Sequence, residues 1–353
     1  MSFKQALKFK HVLWIIIPFL VWWVLKTAPL PEVWKIVQRL DSIKIAILIG
    51  VNLSIVVLFS LRWYIILKAQ GNHTSLFRLF LYRLAGFGFS YFTPGLQVGG
   101  EPFQIFLLNK REKHDGSMAI ASVFLDKLVE IGTKFLFLII GILAIIHLGL
   151  MRQDLEFYAF FLLAALFVSP ILAFYLLYIG IHPLSSLLRK LPASLRYKPR
   201  LARFFRLMSG SESKMSEFCR QKPLILFWAY LVSTISWFFI LFEFWLSLHF
   251  LGIHLNLIQL IGALAAARIA FLLPIPAGLG TLEAGLILVM NAFGQIPAAG
   301  LAIGLIVRGR DILFGSLGIT IGYVLLGNLK IQFKDLGMAS AHPVVAPGDG
   351  SQN

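Results

Sequence analysis

Charged side chains stand inside otherwise apolar stretches of this chain: Arg83, Glu101, Arg268, Glu283, Arg308, Arg310 and Asp311. At the centre of a bilayer each would cost at least ~2.5–3.5 kcal/mol. They must therefore face protein, water or a ligand. Arginine is the cation that grips phosphate bidentately, which lysine does less well. The acids stand beside broken turns. Pro94-Gly95, Gly99-Gly100 and Glu101 make one; Pro274, Pro276, Gly278, Gly280 and Glu283 make the other. Such a turn exposes backbone N–H groups where a short helix starts, a further anion site. The spacing assigns substrate contact to Arg83, Pro94, Gly99, Gly100, Glu101, Arg268, Pro276, Gly278, Gly280, Glu283, Arg308 and Arg310. Glu101 and Glu283 either hold arginine until phosphate arrives or carry a coupling proton, and the residues leave both open. Asp126, Lys127, Glu130 and Asp311 read as structural ion pairs.

The elements that position these groups are membrane helices. The chain has 353 residues, 58% hydrophobic and 14% charged, with a mean hydropathy of +0.83. Soluble proteins carry about 25% charge, so an ordinary cytosolic enzyme, a disordered chain and a disulfide scaffold are excluded. Net charge is +16. In a membrane protein this reports orientation and anionic headgroups before nucleic acid, and no nucleic-acid module is visible. The single cysteine, Cys219, forms no internal disulfide. No metalloprotease, nucleophile-elbow or Walker motif occurs. The expectation is a non-enzyme without catalytic residues, cofactor or metal.

The fold expected is all-α and polytopic, with about six full spans at ~20 apolar residues each. The spans are 11–25, 45–67, 117–150, 157–181, 224–251 and 298–327. Residues 27–44 read as an interfacial helix. Arg62 lies near the inner end of its span, where snorkelling is cheap. Residues 76–108 and 257–293 read as re-entrant broken-helix hairpins, since a Pro/Gly break at membrane depth needs protein or a cavity around it. The basic loop 182–222 is cytoplasmic by the positive-inside rule. Its Leu201, Phe204, Phe205 and Met208 suit an amphipathic helix on the membrane surface. The N-terminus is then cytoplasmic, in a plasma (inner) membrane. Residues 1–328 form one domain, with halves at about 45–181 and 223–328, and 329–353 a disordered tail.

Both halves read in the same order: intramembrane arginine, broken Pro/Gly turn, glutamate, charged helix. Asp126 and Lys127 correspond roughly to Asp311 and Arg310. The span count gives the two hairpins opposite sides, an inverted-topology repeat. Gly/Pro-interrupted segments in both halves of a membrane protein point to a transporter's midplane site.

Three stretches carry a family likeness: Phe92-Thr93-Pro94-Gly95 through Gly99-Gly100-Glu101-Pro102, Ala121–Lys127, and Pro276–Glu283. They resemble the flippase-like membrane region of lysylphosphatidylglycerol synthases, over most of residues 10–328. Gln97, Val98 and Lys127 depart from that pattern. The resemblance implies two inverted halves handling a lipid with a charged head group. The synthases' soluble aminoacyl-transferase domain is not expected in 353 residues. The function expected is translocation of an anionic phospholipid, aminoacylated phospholipid or polyisoprenyl-phosphate glycolipid. The alternatives are a non-transporting subunit presenting lipid to a synthase or glycosyltransferase partner, or an embedded lipid transferase. A homo-oligomer is compatible with either.

Overall fold

The computed structural model describes residues 30–92, 100–151, 153–182, 185–186, 199–271 and 280–335. The span expected at 11–25, Pro94, Gly99, Pro276, Gly278 and the tail beyond Asp335 lie outside them. All regular structure among the described residues is helical.

In chain order the helices are α1 (Leu30–Val37), α2 (Ser42–Ala69), α3 (Leu76–Phe92), α4 (Gly100–Lys110), α5 (Gly116–His147) and α6 (Gln153–Tyr178). After these come α7 (Pro199–Gln221), α8 (Pro223–Phe250), α9 (Leu257–Ala270), α10 (Thr281–Ala292) and α11 (Pro297–Asp335). Four stretches are long and apolar enough to cross a membrane: Ser42–Ala69, Gly116–His147, Phe157–Tyr178 and Pro223–Phe250. The last helix runs on to Asp335, past the boundary expected at Asn328, so residues 329–335 are helix and not tail.

Local chemistry sets the helix ends. The Asp41 carboxylate accepts from the Lys44 N–H at 2.8 Å, and Asn256 with Gln259 forms a reciprocal capping box, each satisfying orphan N–H groups of a first turn. Five helices stop in the same way, on glycines with positive φ, α2 and α8 among them. After α2, Gly71 takes φ +83° and the Asn72 N–H reaches back to the Leu67 carbonyl. After α8, Gly252 takes φ +75° and the Ile253 N–H reaches the Leu248 carbonyl. Only glycine enters that left-handed region without strain.

The ends of α2 and α8 belong to a wider register. The starts of α2 and α8 (42 and 223), α3 and α9 (76 and 257), α4 and α10 (100 and 281), and α5 and α11 (116 and 297) are each 181 residues apart. Gly71 and Gly252 keep the same interval. The halves interlock crosswise: α5 packs on α9 and α11 on α3, while α2 lies along α8. Small residues permit this close approach. A Cβ on Gly318 of α11 would run into the Leu84 carbonyl of α3, and one on Gly141 of α5 into the Ala265 Cβ of α9.

Between the halves lie α6 and α7. The latter was expected to float on the membrane surface. The helix is present and packs on α5 and α6, burying Met208, Met215, Phe218 and Cys219, while Phe204 remains exposed. Lys214 reaches Asp115 at 2.8 Å. Asp115 lies at the N-cap of α5, and the Lys214 ammonium holds its carboxyl below the ordinary carboxylate value.

Candidate functional site

Two ion-pair networks occupy the interior, one in each half. In the first, Arg62 of α2 is fully buried. Its Nε donates to Asp126 Oδ1 at 2.7 Å, Nη2 to Glu130 Oε2 at 3.0 Å, and Nη1 to Ser233 Oγ of α8 at 2.9 Å. Arg83 of α3 donates to the other Asp126 oxygen at 2.7 Å and to the Phe59 carbonyl at 3.0 Å. Lys127 bridges Glu101 at 2.9 Å and Glu130 at 3.0 Å. Charges this dry persist only when paired and hydrogen-bonded on several sides. The snorkelling expected of Arg62 is therefore corrected: the side chain turns inward, where two carboxylates await it.

In the second network, Arg308 of α11 meets Glu283 of α10, Nε to Oε1, at 2.8 Å. The other Glu283 oxygen accepts the Gly280 N–H at 2.9 Å, so the same carboxylate fixes the start of α10. Arg310 bridges Glu243 of α8 at 3.1 Å and Asp311 at 2.8 Å. Asn52 of α2 donates to the remaining Glu243 oxygen at 3.4 Å. Glu243, a lone acid in an apolar 28-residue helix, was missed in the sequence; its isolation was itself the signal.

At the 181-residue interval some members of the two networks match and others do not: Asp126 falls on Val307 and Arg310 on Val129. Lys127 matches Arg308, Glu130 matches Asp311, Asn52 matches Ser233, and Arg62 matches Glu243. The expected correspondence of Asp126 and Lys127 with Asp311 and Arg310 is thus corrected. Arg83 matches Leu264, one helical turn before Arg268. Where α2 crosses α8, the contacts are reciprocal: Asn52 with Glu243, and Arg62 with Ser233. Numbers rise along one helix as they fall along the other, so the helices are antiparallel.

A cavity of about 340 Å³ opens between the networks, within the size range of small-molecule sites. Its walls include Asn52, Ile55, Val56 and Phe59 from the middle of α2, Arg83, Tyr91, Lys134, Arg268, Arg310 and Asp311. Four cations thus face the space against one carboxylate. Arg268 forms no ion pair among the described residues. Its guanidinium lies over the Trp237 ring at 5.8 Å, and Trp237 stacks on Phe137 of α5 at 4.4 Å. The Nε groups of Arg83 and Arg268 are both buried without a hydrogen-bond partner. Leaving such donors unsatisfied is costly.

The structure therefore gathers Arg83, Arg268 and Arg310 at one cavity. Glu101, Glu283 and Arg308 stand behind its walls in ion pairs, with Gly100 and Gly280 at the helix starts. Glu101 pairs with lysine and not with arginine. Lys134, Asn52 and Asp311 join the site.

The family model for the lysylphosphatidylglycerol synthase TM region matches residues 13–318. A UPF0104 membrane protein of Methanothermobacter thermautotrophicus is 28% identical over 151 residues, 42% of this chain. The chain spans 44% of that relative's length. The UPF0104 membrane protein MJ1595 of Methanocaldococcus jannaschii is 23% identical over 278 residues, covering 78% of this chain and 81% of the relative. No solved structure matches. On the 13–318 match, this multi-pass membrane protein belongs to the family of the lysylphosphatidylglycerol synthase transmembrane region.

Proposed function

We propose that this protein binds the phosphate-bearing head group of an anionic lipid in the cavity between its halves and carries it across the bilayer. The observation that carries the reading is Arg268, which lines the cavity, forms no ion pair among the described residues and has a buried Nε without a hydrogen-bond partner. Arg83, Lys134 and Arg310 lie around the same space, and planar guanidinium groups suit phosphate oxygens. A cationic head group would meet repulsion there.

Movement follows from the two halves. The constant 181-residue register and the antiparallel, reciprocal α2–α8 contact support an inverted repeat, because a twofold axis makes residue i contact j and its mate contact i's mate. In this reading α3–α4 and α9–α10 are re-entrant hairpins entering from opposite sides, and rocking one half against the other exposes the cavity to each side in turn. The basic connector containing α7 faces the cytoplasm of a plasma membrane, which puts the N-terminus on that side too.

The test is a sided assay in liposomes holding trace fluorescent anionic and zwitterionic lipids, with the outer leaflet quenched by dithionite. Extra loss of the anionic signal, absent in Arg268→Gln, is the expected result. Binding without movement would favour a subunit that presents lipid to a partner synthase or glycosyltransferase. Chemical turnover of lipid in detergent would favour an embedded transferase.

A further inference from the structure

A second cavity, about 530 Å³ and almost wholly apolar, runs between α1, α2 and α11. Trp34 stands at one end. Ile45, Leu48, Leu305 and Leu313 form its sides. Several of these side chains are exposed, so the groove is open along its flank. At its other end it shares Asn52, Arg310 and Phe314 with the basic cavity. Only the Arg310–Glu243 pair, with Asn52 bonded to the same carboxylate, makes that end polar. From Ile45 to Asn52 the groove follows α2 for about 10 Å.

We infer that this groove holds a hydrocarbon chain of the same molecule whose phosphate occupies the basic cavity. The inference rests on the head-group reading above and adds a seat for one chain of that lipid. An apolar trough that ends at the wall of an arginine-lined cavity matches the polarity of one lipid, tail outward and head inward. The chain gains by leaving water or disordered contacts for a fixed apolar surface. The Arg310–Glu243 pair sits where head and tail join. An arriving phosphate competes with Glu243 for Arg310, which makes that ion pair the point at which head-group binding and tail seating meet.

Gly309 supplies the test. It lines the groove, and a Cβ built on it touches nothing within 4 Å. Gly309→Trp therefore fills the trough without displacing backbone, and Leu313→Trp does so from a neighbouring exposed position. Equilibrium binding to the full chain in detergent uses three probes: dihexanoyl phosphatidylglycerol, chain-free glycerophosphoglycerol, and dihexanoylglycerol, which lacks phosphate. The wild type is expected to bind the first at least about 10-fold more tightly than either of the others, since each buried methylene adds affinity. Both tryptophan variants should lose that advantage and keep the affinity for glycerophosphoglycerol. If the two phosphate probes bind equally, or the variants leave the chain-bearing probe unaffected, the groove is not the chain's seat although the head-group reading survives. If neither phosphate probe binds, or Arg268→Gln changes neither affinity, the head-group reading itself fails and takes this inference with it. Thermal unfolding of each variant establishes that it is folded.

Discussion

A cation–glutamate pair appears twice in this molecule, once partly exposed and once buried. Lys127–Glu101 and Arg308–Glu283 join the long helix of each half to the start of its short hairpin helix. Their cations are 181 residues apart and their acids 182. In the first half the two side chains are 38% and 23% exposed, and one Glu101 oxygen has no partner. In the second both are 9% exposed, and Glu283 also caps Gly280. Equivalent positions thus hold unequal seals. The α10–α11 pair is buried, while the α4–α5 pair is partly exposed. The reversal of sign between Arg62 and Glu243 makes a second contrast. The first half centres its network on a cation gripped by two acids, the second on Arg310 gripped by two acids from different helices. A third is that Arg83 has an aspartate and Arg268 has none.

These contrasts can be broken in order of size. The largest effect is expected at Arg62. Arg62→Met leaves Asp126 with half its partners and Glu130 short of one in the dry interior, and stability should fall by about 3–5 kcal/mol, read as chemical denaturation in detergent. Next is the crosswise packing. Gly318→Ala drives a methyl into the Leu84 backbone and should cost about 1–3 kcal/mol, whereas Gly309→Ala on the same helix meets open space and should be neutral or gain up to ~1 kcal/mol. The unequal seals come third. Glu283→Gln should cost about 2 kcal/mol by removing the charge from a buried pair with Arg308, while Glu101→Gln should cost under ~1 kcal/mol because Lys127 is more exposed and keeps Glu130. Equal losses would erase the asymmetry. The smallest effect is at the N-terminus of α5, where Asp115 caps and meets Lys214, while the counterpart before α11 is Ile296. The Asp115 carboxyl is held below its ordinary value, so its contribution is complete above about pH 4 and is lost as pH falls through the depressed pKa. Exposure limits it to under ~1 kcal/mol. Asp115→Asn should remove that acid-dependent part from a denaturation series between pH 3 and 6.

Much of this was legible in the residues. Hydropathy located the four candidate spans to within a few positions, because a run of apolar residues bounded by Asp41, Asp115 or Gly252 has little choice of ends. The Pro/Gly breaks marked the helix pairs α3–α4 and α9–α10. The order of arginine, break, glutamate and charged helix suggested a repeat, but matching by residue type aligned Lys127 with Arg310. The helix starts align it with Arg308, since the interval is set by chain geometry and not by which basic residue follows. Arg62 was misread because depth was judged from one helix alone. Its partners Asp126 and Ser233 come from α5 and α8, and only tertiary packing brings them within 3 Å. Glu101 with Lys127 and Arg310 with Glu243 were hidden for the same reason.

The central claim is that an anionic head group completes the charge of Arg268. It is tested most directly by calorimetric titration of a short-chain phosphatidylglycerol into the detergent-solubilised protein, beside Arg268→Gln and Arg268→Lys. The account predicts a loss of at least about 10-fold in affinity for Gln, since a charge-assisted bond contributes roughly 1.5–3 kcal/mol, with partial recovery for Lys and no change toward a phosphate-free diacylglycerol. Equal affinity in the wild type and Arg268→Gln would contradict it.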